Sequence, residues 1–155
     1  MDGSTTCLAL AKKIKIKTGI TVVTNGLEVT NELKGNRNIK VISTGGELNP
    51  VTFNFYGPEA SRFIKDISTD ICFISAAGIS FKAGVTEQNP YNIAIKRSII
   101  KNSVKVALLI DSSKFGKVTL NKVCLMTDIN TIITDKKPPS GYVDLFEQYN
   151  IEVIF

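Results

Sequence analysis

Residues 104–116 read Val-Lys-Val-Ala-Leu-Leu-Ile-Asp-Ser-Ser-Lys-Phe-Gly, a largely apolar run that changes abruptly into a polar loop. The apolar run is far too short to cross a membrane, and its content of valine, leucine and isoleucine is typical of a strand that is buried on both faces. The polar residues 111–116 follow directly at its carboxyl end. We therefore predict a buried strand that brings a polar loop to one edge of a sheet.

Similar short runs recur along the chain, with helical segments between them. Besides residues 104–110, the predicted strands are residues 20–24, 39–43, 71–75, 131–134 and 151–155. One helix begins near Cys7, and the others are predicted at residues 27–33, 58–67, 90–101 and 140–149, the third of these after an Asn89 cap. This order predicts an α/β fold with a largely parallel central sheet and helices on both faces.

Length and composition place the chain among ordinary globular proteins. Its 155 residues are 43% hydrophobic and 21% charged, which predicts a single domain over residues 1–155. No leader sequence is recognisable, so we expect a cytoplasmic protein. The three cysteines (Cys7, Cys72 and Cys124) are far apart and histidine is absent, so neither a metal site nor a cofactor nor a disulfide framework is expected.

The net charge of +5 suits either a nucleic acid or an anionic small molecule. The densest basic stretch, Lys12, Lys13, Lys15 and Lys17, falls at the end of a predicted helix, where cations offset the helix dipole. No zinc finger, recognition helix or aromatic RNA-binding motif accompanies it. We expect this chain to bind no DNA sequence by itself.

Candidate binding residues follow the predicted strands, because ligands of parallel sheets bind at the carboxyl ends of the strands. The Asp2–Thr6 loop leads into a helix whose free amides would attract a phosphate, and a lysine nearby would add charge. Plain turns, a helix cap and solvated lysines are the alternatives. The candidates are Asp2, Gly3, Ser4, Thr5, Thr6, Asn25, Gly45, Gly46, Ala77, Gly78, Thr86, Glu87, Lys96 and Lys114.

Taken in order, these segments resemble the C-terminal effector domain of the deoxyribose-operon repressor (DeoR) family. The most specific is Asp-Ser-Ser-Lys-Phe-Gly at residues 111–116. The others are Asp2-Gly3-Ser4-Thr5-Thr6, Val23-Thr24-Asn25, Gly45-Gly46, Tyr56-Gly57-Pro58, Gly84-Val85-Thr86, Ile95-Lys96-Arg97 and Ile133-Thr134-Asp135. The resemblance covers nearly the whole chain.

The resemblance implies a sheet similar to that of ribose-5-phosphate isomerase, in the CoA-transferase-like fold, and a non-catalytic sensor of phosphorylated sugars. It implies an N-terminal winged helix-turn-helix that binds DNA, which this sequence does not contain, and a homo-oligomer. It also implies a first strand before Asp2, whose absence would leave an open slot in the sheet. Ala77 and Asn92 stand where the family often has acidic residues.

Two alternatives belong to other functional classes. A sugar-phosphate isomerase or related enzyme on the same fold would use Glu87, Asp111 and Asp135 as acids and bases. The lack of histidine and the uncharged Ala77 and Asn92 count against that hypothesis. A module that serves oligomerisation alone would show no response to any ligand.

Overall fold

A computed structural model describes all 155 residues and contains five α-helices. They are α1 (Thr5–Ile14), α2 (Leu27–Leu33), α3 (Pro58–Lys65), α4 (Pro90–Lys101) and α5 (Ser140–Gln148). The Asn89 side chain accepts a hydrogen bond from the Tyr91 amide and caps α4, as the Asn-Pro pair predicts. No helix combines the length and apolar character needed to cross a membrane.

Eleven short strands accompany the helices. They are β1 (Ile20–Thr24), β2 (Ile39–Ser43), β3 (Glu47–Leu48), β4 (Phe55–Tyr56), β5 (Thr69–Ser75), β6 (Gly78–Ser80), β7 (Gly84–Glu87), β8 (Ser103–Leu109), β9 (Asn121–Cys124), β10 (Thr131–Ile133) and β11 (Glu152–Ile154). All six strands predicted from sequence are present; β1 and β2 have the predicted bounds, and the ends of the other four differ by at most two residues.

The central sheet has four parallel strands in the order β11-β10-β8-β5. Its middle strand β8 is buried on both faces, since Val106 and Leu108 alternate with Ala107 and Leu109 and all four are at most 5% exposed. Helices α3, α4 and α5 contribute to the same cluster of 21 buried residues. The predicted parallel α/β fold is therefore confirmed.

Strands β1 and β2 form a separate parallel pair beside this sheet. With α1 and α2 they enclose a small core of five buried residues. An open groove of about 1290 Å³ lies between β1 and β5, and Met1 and Asp2 bridge it at one end. The Met1 ammonium donates to the Val23 carbonyl oxygen at 2.7 Å, and the Asp2 amide donates to the Phe73 carbonyl oxygen at 3.0 Å.

Two antiparallel elements were not expected from the sequence. Strands β6, β7 and β9 form a three-stranded sheet, and β3 pairs with β4. The candidate residues Gly78, Thr86 and Glu87 lie in the β6–β7 hairpin and not in loops. Strands of two to four residues are too short to show an alternating pattern, which explains why the sequence did not reveal them.

The three cysteines are free and buried. Burial raises the pKa of the Cys7 thiol well above its ordinary value. Cys7 is therefore a protonated core side chain and not a reactive thiol.

The division of the sheet predicts unequal local stability. Because the β1–β2 unit has only five core residues, its amides should exchange with deuterium faster than those of the four-stranded sheet. Mass-spectrometric hydrogen exchange should show earlier labelling at Val22 than at Leu108. Equal protection of Val22 in β1 and Leu108 in β8 would show that the smaller core of the β1–β2 unit does not lower its local stability.

Candidate functional site

A polar cavity of about 300 Å³ lies at the end of the sheet beside the Asp2 loop. Ile95 is its only hydrophobic lining residue. The complete lining is Asp2, Gly3, Ser4, Asn25, Asn54, Glu87, Asn92, Ile95 and Lys96. Such a lining suits a small ligand that carries many hydrogen-bonding groups.

The carboxylate of Asp2 lies at the base of this site and is 2% exposed. Its Oδ1 accepts from the Ser4 amide at 3.0 Å, and its Oδ2 accepts from the Ser75 amide at 2.9 Å. The Lys96 ammonium is 3.4 Å from Oδ2. Burial alone would raise the pKa of Asp2, but Lys96 and the hydrogen bonds outweigh burial and hold the pKa below its ordinary value. Asp2 is therefore a buried anion.

Lys96 points inward from α4 and is 3% exposed. Its ammonium donates to the Ser75 carbonyl oxygen at 2.6 Å and forms ion pairs with Asp2 and Glu87. Burial disfavours the charged amine, but the two carboxylates outweigh burial and raise the pKa of Lys96 above its ordinary value. One cation faces two carboxylates, so the cavity interior has a formal charge of −1. The ammonium is committed to these partners and does not offer a phosphate an unpaired cation.

The loop before α1 and the loop before α2 touch through two glycines. A Cβ on Gly3 would lie 2.8 Å from the Gly26 Cα and 1.9 Å from Asn54 Oδ1, so no larger residue fits there. The Asn25 side chain joins the same loops, because its Oδ1 accepts from the Gly3 amide and its Nδ2 donates to the Phe55 carbonyl oxygen, each at 3.0 Å. The close contact of the two backbones shapes this side of the cavity.

Most amides of the Asp2–Thr6 loop are already hydrogen-bonded. Those of Asp2, Gly3 and Ser4 have the partners described above, and Ser4 Oγ accepts from the Cys7 amide at 3.1 Å as the cap of α1. The amides of Thr5 and Thr6, in the first turn of α1, make no hydrogen bond to the protein. Of the amides expected to face an anion, those of Thr5 and Thr6 are therefore the ones without a partner in the protein, and they follow Ser4, which lines the cavity.

Six of the fourteen predicted residues line this cavity, and the structure does not bring the others to it. Thr5 and Thr6 are exposed beside it. Gly46 has φ of 99° and packs against the Tyr56 carbonyl oxygen, so it and Gly45 serve the turn before β3. Ala77, Gly78 and Thr86 belong to the β6–β7 hairpin, where the Thr86 hydroxyl donates to the Gly78 carbonyl oxygen at 3.3 Å.

Lys114 also lies outside the cavity. It ends a short 3-10 turn, Ser112–Lys114, that follows β8, and its amide bonds back to the Asp111 carbonyl oxygen. Asp111 Oδ1 accepts a hydrogen bond from the Ser113 amide, and Asp135 Oδ1 accepts one from the Ser112 amide. Neither carboxylate lines the cavity that Glu87 lines. The three acids proposed for an enzyme are therefore not assembled around one cavity.

Three lining residues were not among the candidates: the apolar Ile95 and the polar Asn54 and Asn92. Asn54 follows an irregular loop whose path is set by side-chain turns, since Asn49 Oδ1 accepts from the Val51 and Thr52 amides. Asn92 lies one turn before Lys96 on α4, and a helical spacing of four from that lysine was the available signal.

Comparison with known proteins identifies the family. The model of the DeoR C-terminal sensor domain matches residues 1–136 of the chain. The HTH-type transcriptional regulator GolR of Listeria innocua is 35% identical over 153 residues, which is 99% of this chain and 60% of GolR. The transcriptional repressor AccR of Agrobacterium fabrum is 32% identical over 136 residues, 87% of this chain and 53% of AccR.

A more distant relative is the glycerol-3-phosphate regulon repressor of Escherichia coli K12, which is 28% identical over 99% of this chain and 61% of its own length. The chain thus spans about 60% of the length of several curated relatives. These findings confirm the family resemblance, and the relatives named here are transcriptional regulators.

The buried ion pair gives the first test of the site. Asp2→Asn keeps the shape of the side chain but removes its charge, which leaves Lys96 with Glu87 alone. Asparagine can accept the hydrogen bond of only one of the Ser4 and Ser75 amides and sets an NH2 donor against the other. Urea denaturation should therefore show a loss of about 1–3 kcal/mol in the free energy of unfolding. Glu32→Gln, in the exposed Lys15–Glu32 pair, is the control and should change little.

Acid titration checks the same assignment. Because the pKa of Asp2 is lower in the folded protein than its ordinary value of 3.8, Asp2 stabilises the fold above that pH. This contribution disappears as the pH falls through the folded-state pKa. The stability difference between wild type and Asp2→Asn should therefore narrow below pH 3.8. A difference that stays constant into that range would contradict a buried anion at Asp2.

Proposed function

The chain belongs to the DeoR C-terminal sensor domain family, and we propose that its cavity beside Asp2 binds a phosphorylated sugar that controls transcription. The observation that carries the proposal is a cavity with one apolar lining residue next to two free amides at the start of α1. The cavity offers partners for sugar hydroxyls and the amides offer donors for a phosphate.

The charges favour one orientation of this ligand. A dianionic phosphate inside the cavity would be repelled by the carboxylates of Asp2 and Glu87. Lys96 would not offset this repulsion, because it already forms ion pairs with both carboxylates. At the mouth, by contrast, the phosphate accepts from the Thr5 and Thr6 amides at the positive end of the α1 dipole. We therefore place the phosphate outside the cavity and the hydroxyls within it.

The names of the relatives support this class of ligand. One is a glycerol-3-phosphate regulon repressor and another is an L-fucose operon activator. Glycerol 3-phosphate is itself a phosphorylated polyol. The same two features define the ligand class proposed for this chain: hydroxyls that suit the cavity and a phosphate that suits the start of α1.

The longer regulator supplies the rest of the proposed function. Because the chain spans about 60% of its relatives, we infer that DNA is bound by a winged helix-turn-helix that precedes this domain. We also infer a homo-oligomer in the cytoplasm, as the action of such regulators on DNA requires. The groove between β1 and β5 suits a further strand that runs into Met1, whose ammonium and whose neighbour Asp2 already bond to both edges.

The phosphate should dominate affinity. Charge-assisted hydrogen bonds contribute roughly 1.5–3 kcal/mol each, so the phosphorylated sugar should bind at least ~100-fold more tightly than its unphosphorylated parent, about 2.7 kcal/mol. Calorimetry with glycerol 3-phosphate, ribose 5-phosphate, fructose 6-phosphate and glucosamine 6-phosphate, each beside its parent, tests this. Equal affinities within every pair would refute the proposal.

The Thr5 amide can be deleted without breaking α1. Thr5 is the first residue of the helix, where proline is tolerated, and Ser4 before it has the extended backbone that proline favours. Thr5→Pro should weaken binding of the phosphorylated sugar ~10-fold, the value of one charged hydrogen bond, and leave the parent sugar unaffected. Thr5→Ala keeps the amide and is the matched control. If Thr5→Pro and Thr5→Ala bind the phosphorylated sugar equally well, the phosphate does not bind at the start of α1.

A strand added before Met1 should stabilise the domain. Six residues with alternating valine and threonine, joined to Met1, can pair with both free edges of the groove. Hydrogen exchange should slow at Thr21 and Ile71, which face the groove, and Tm should rise. A glycine-serine extension of equal length is the control, and equal protection by the two extensions would show that the groove takes no strand.

A further inference from the structure

Asn54 lines the cavity proposed for the ligand and has an unmet hydrogen-bonding capacity. The side chain is 6% exposed, and its Oδ1 is buried without a hydrogen-bond partner. Ser43 and Thr119 also have buried unpartnered oxygens, but neither lines the polar cavity. Native structures pair nearly all such atoms, so an unpaired amide in a cavity wall points to a partner that binds there.

The backbone holds this amide in place. The Asn49 amide donates to the Asn54 carbonyl oxygen at 2.9 Å, and Asn54 forms an antiparallel bridge with Gly26. On either side of it, the Leu27 amide bonds to the Phe53 carbonyl oxygen at 2.9 Å and the Phe55 amide to that of Asn25 at 2.7 Å. Gly3, which lacks a Cβ, leaves the room that Oδ1 occupies.

The neighbouring Asn25 shows what a purely structural amide looks like here. Its Oδ1 and its Nδ2 each have a backbone partner at 3.0 Å, so both ends of this amide are held by the protein. Asn54 lies in the same wall and has no such partner for its oxygen. The two asparagines therefore differ: Asn25 joins the loops, and Asn54 lines the cavity with an unpaired oxygen.

We propose that Asn54 recognises a hydroxyl of the bound sugar and so contributes to the choice of ligand. The inference rests on the proposed function and adds a specificity residue to it. A hydroxyl both donates and accepts, so it can satisfy whichever end of the amide it meets. A ligand without a hydroxyl at that place leaves the buried amide unpaired and binds more weakly.

Replacement by leucine separates recognition from structure. Asn54→Leu keeps the branched shape and removes the unpaired amide, so Tm should stay the same or rise. Affinity for the sugar phosphate should fall at least ~10-fold. Thr119→Val is the matched control, because it also removes a buried unpartnered oxygen but lies outside the cavity, and it should bind like wild type.

The experiment compares wild type, Asn54→Leu and Thr119→Val with the four sugar phosphates named above and with inorganic phosphate. We expect Asn54→Leu to lose affinity for the sugar phosphates and to keep that for inorganic phosphate. Two outcomes would overturn the role of Asn54 without affecting the proposed function. One is unchanged binding of the sugar phosphates by Asn54→Leu; the other is a fall in its Tm together with weaker binding of both the sugar phosphates and inorganic phosphate. If wild type binds none of the four compounds, the proposed function fails as well.

Discussion

The ion pair between Asp2 and Lys96 connects the parts of this domain that form the site. Asp2 begins the loop into α1, Lys96 lies on α4, and both bind the backbone of Ser75 at the end of β5. Two charges this deeply buried are tolerated because each has several hydrogen bonds besides the other charge. The pair therefore fixes where the small β1–β2 unit meets the four-stranded sheet, and the cavity lies at that junction.

The same network determines what the cavity can bind. A lone lysine at this position would attract a phosphate, but one shared by Asp2 and Glu87 leaves the interior with excess negative charge. The unpaired Thr5 and Thr6 amides at the start of α1 give positive potential beside the cavity. Neutral hydroxyls inside and a phosphate at the mouth are the arrangement that these charges favour.

The sequence predicted the parallel sheet well because its strands are long enough to show buried apolar runs, as in Val106–Ile110. It indicated Asp2 from a loop that enters a helix, Asn25 and Glu87 from segments that follow predicted strands, and Lys96 from its place on a helix. It did not reveal Asn54, whose position depends on a loop shaped by Asn49 and on contact with Gly3. Glycines such as Gly46 and Gly78 suggested ligand contact but serve close backbone packing, which has the same sequence signature.

We propose that the ligand binds in the Asp2 cavity with its phosphate at the start of α1. Nitrogen-15 nuclear magnetic resonance can locate the ligand by titration of the labelled protein with the sugar phosphate of highest affinity. We expect the largest chemical-shift changes at the Thr5 and Thr6 amides and at the Asn54 side-chain amide, with little change at Gly45 or Lys114. Shifts centred on the 112–116 loop, with Thr5 and Thr6 unmoved, would contradict it.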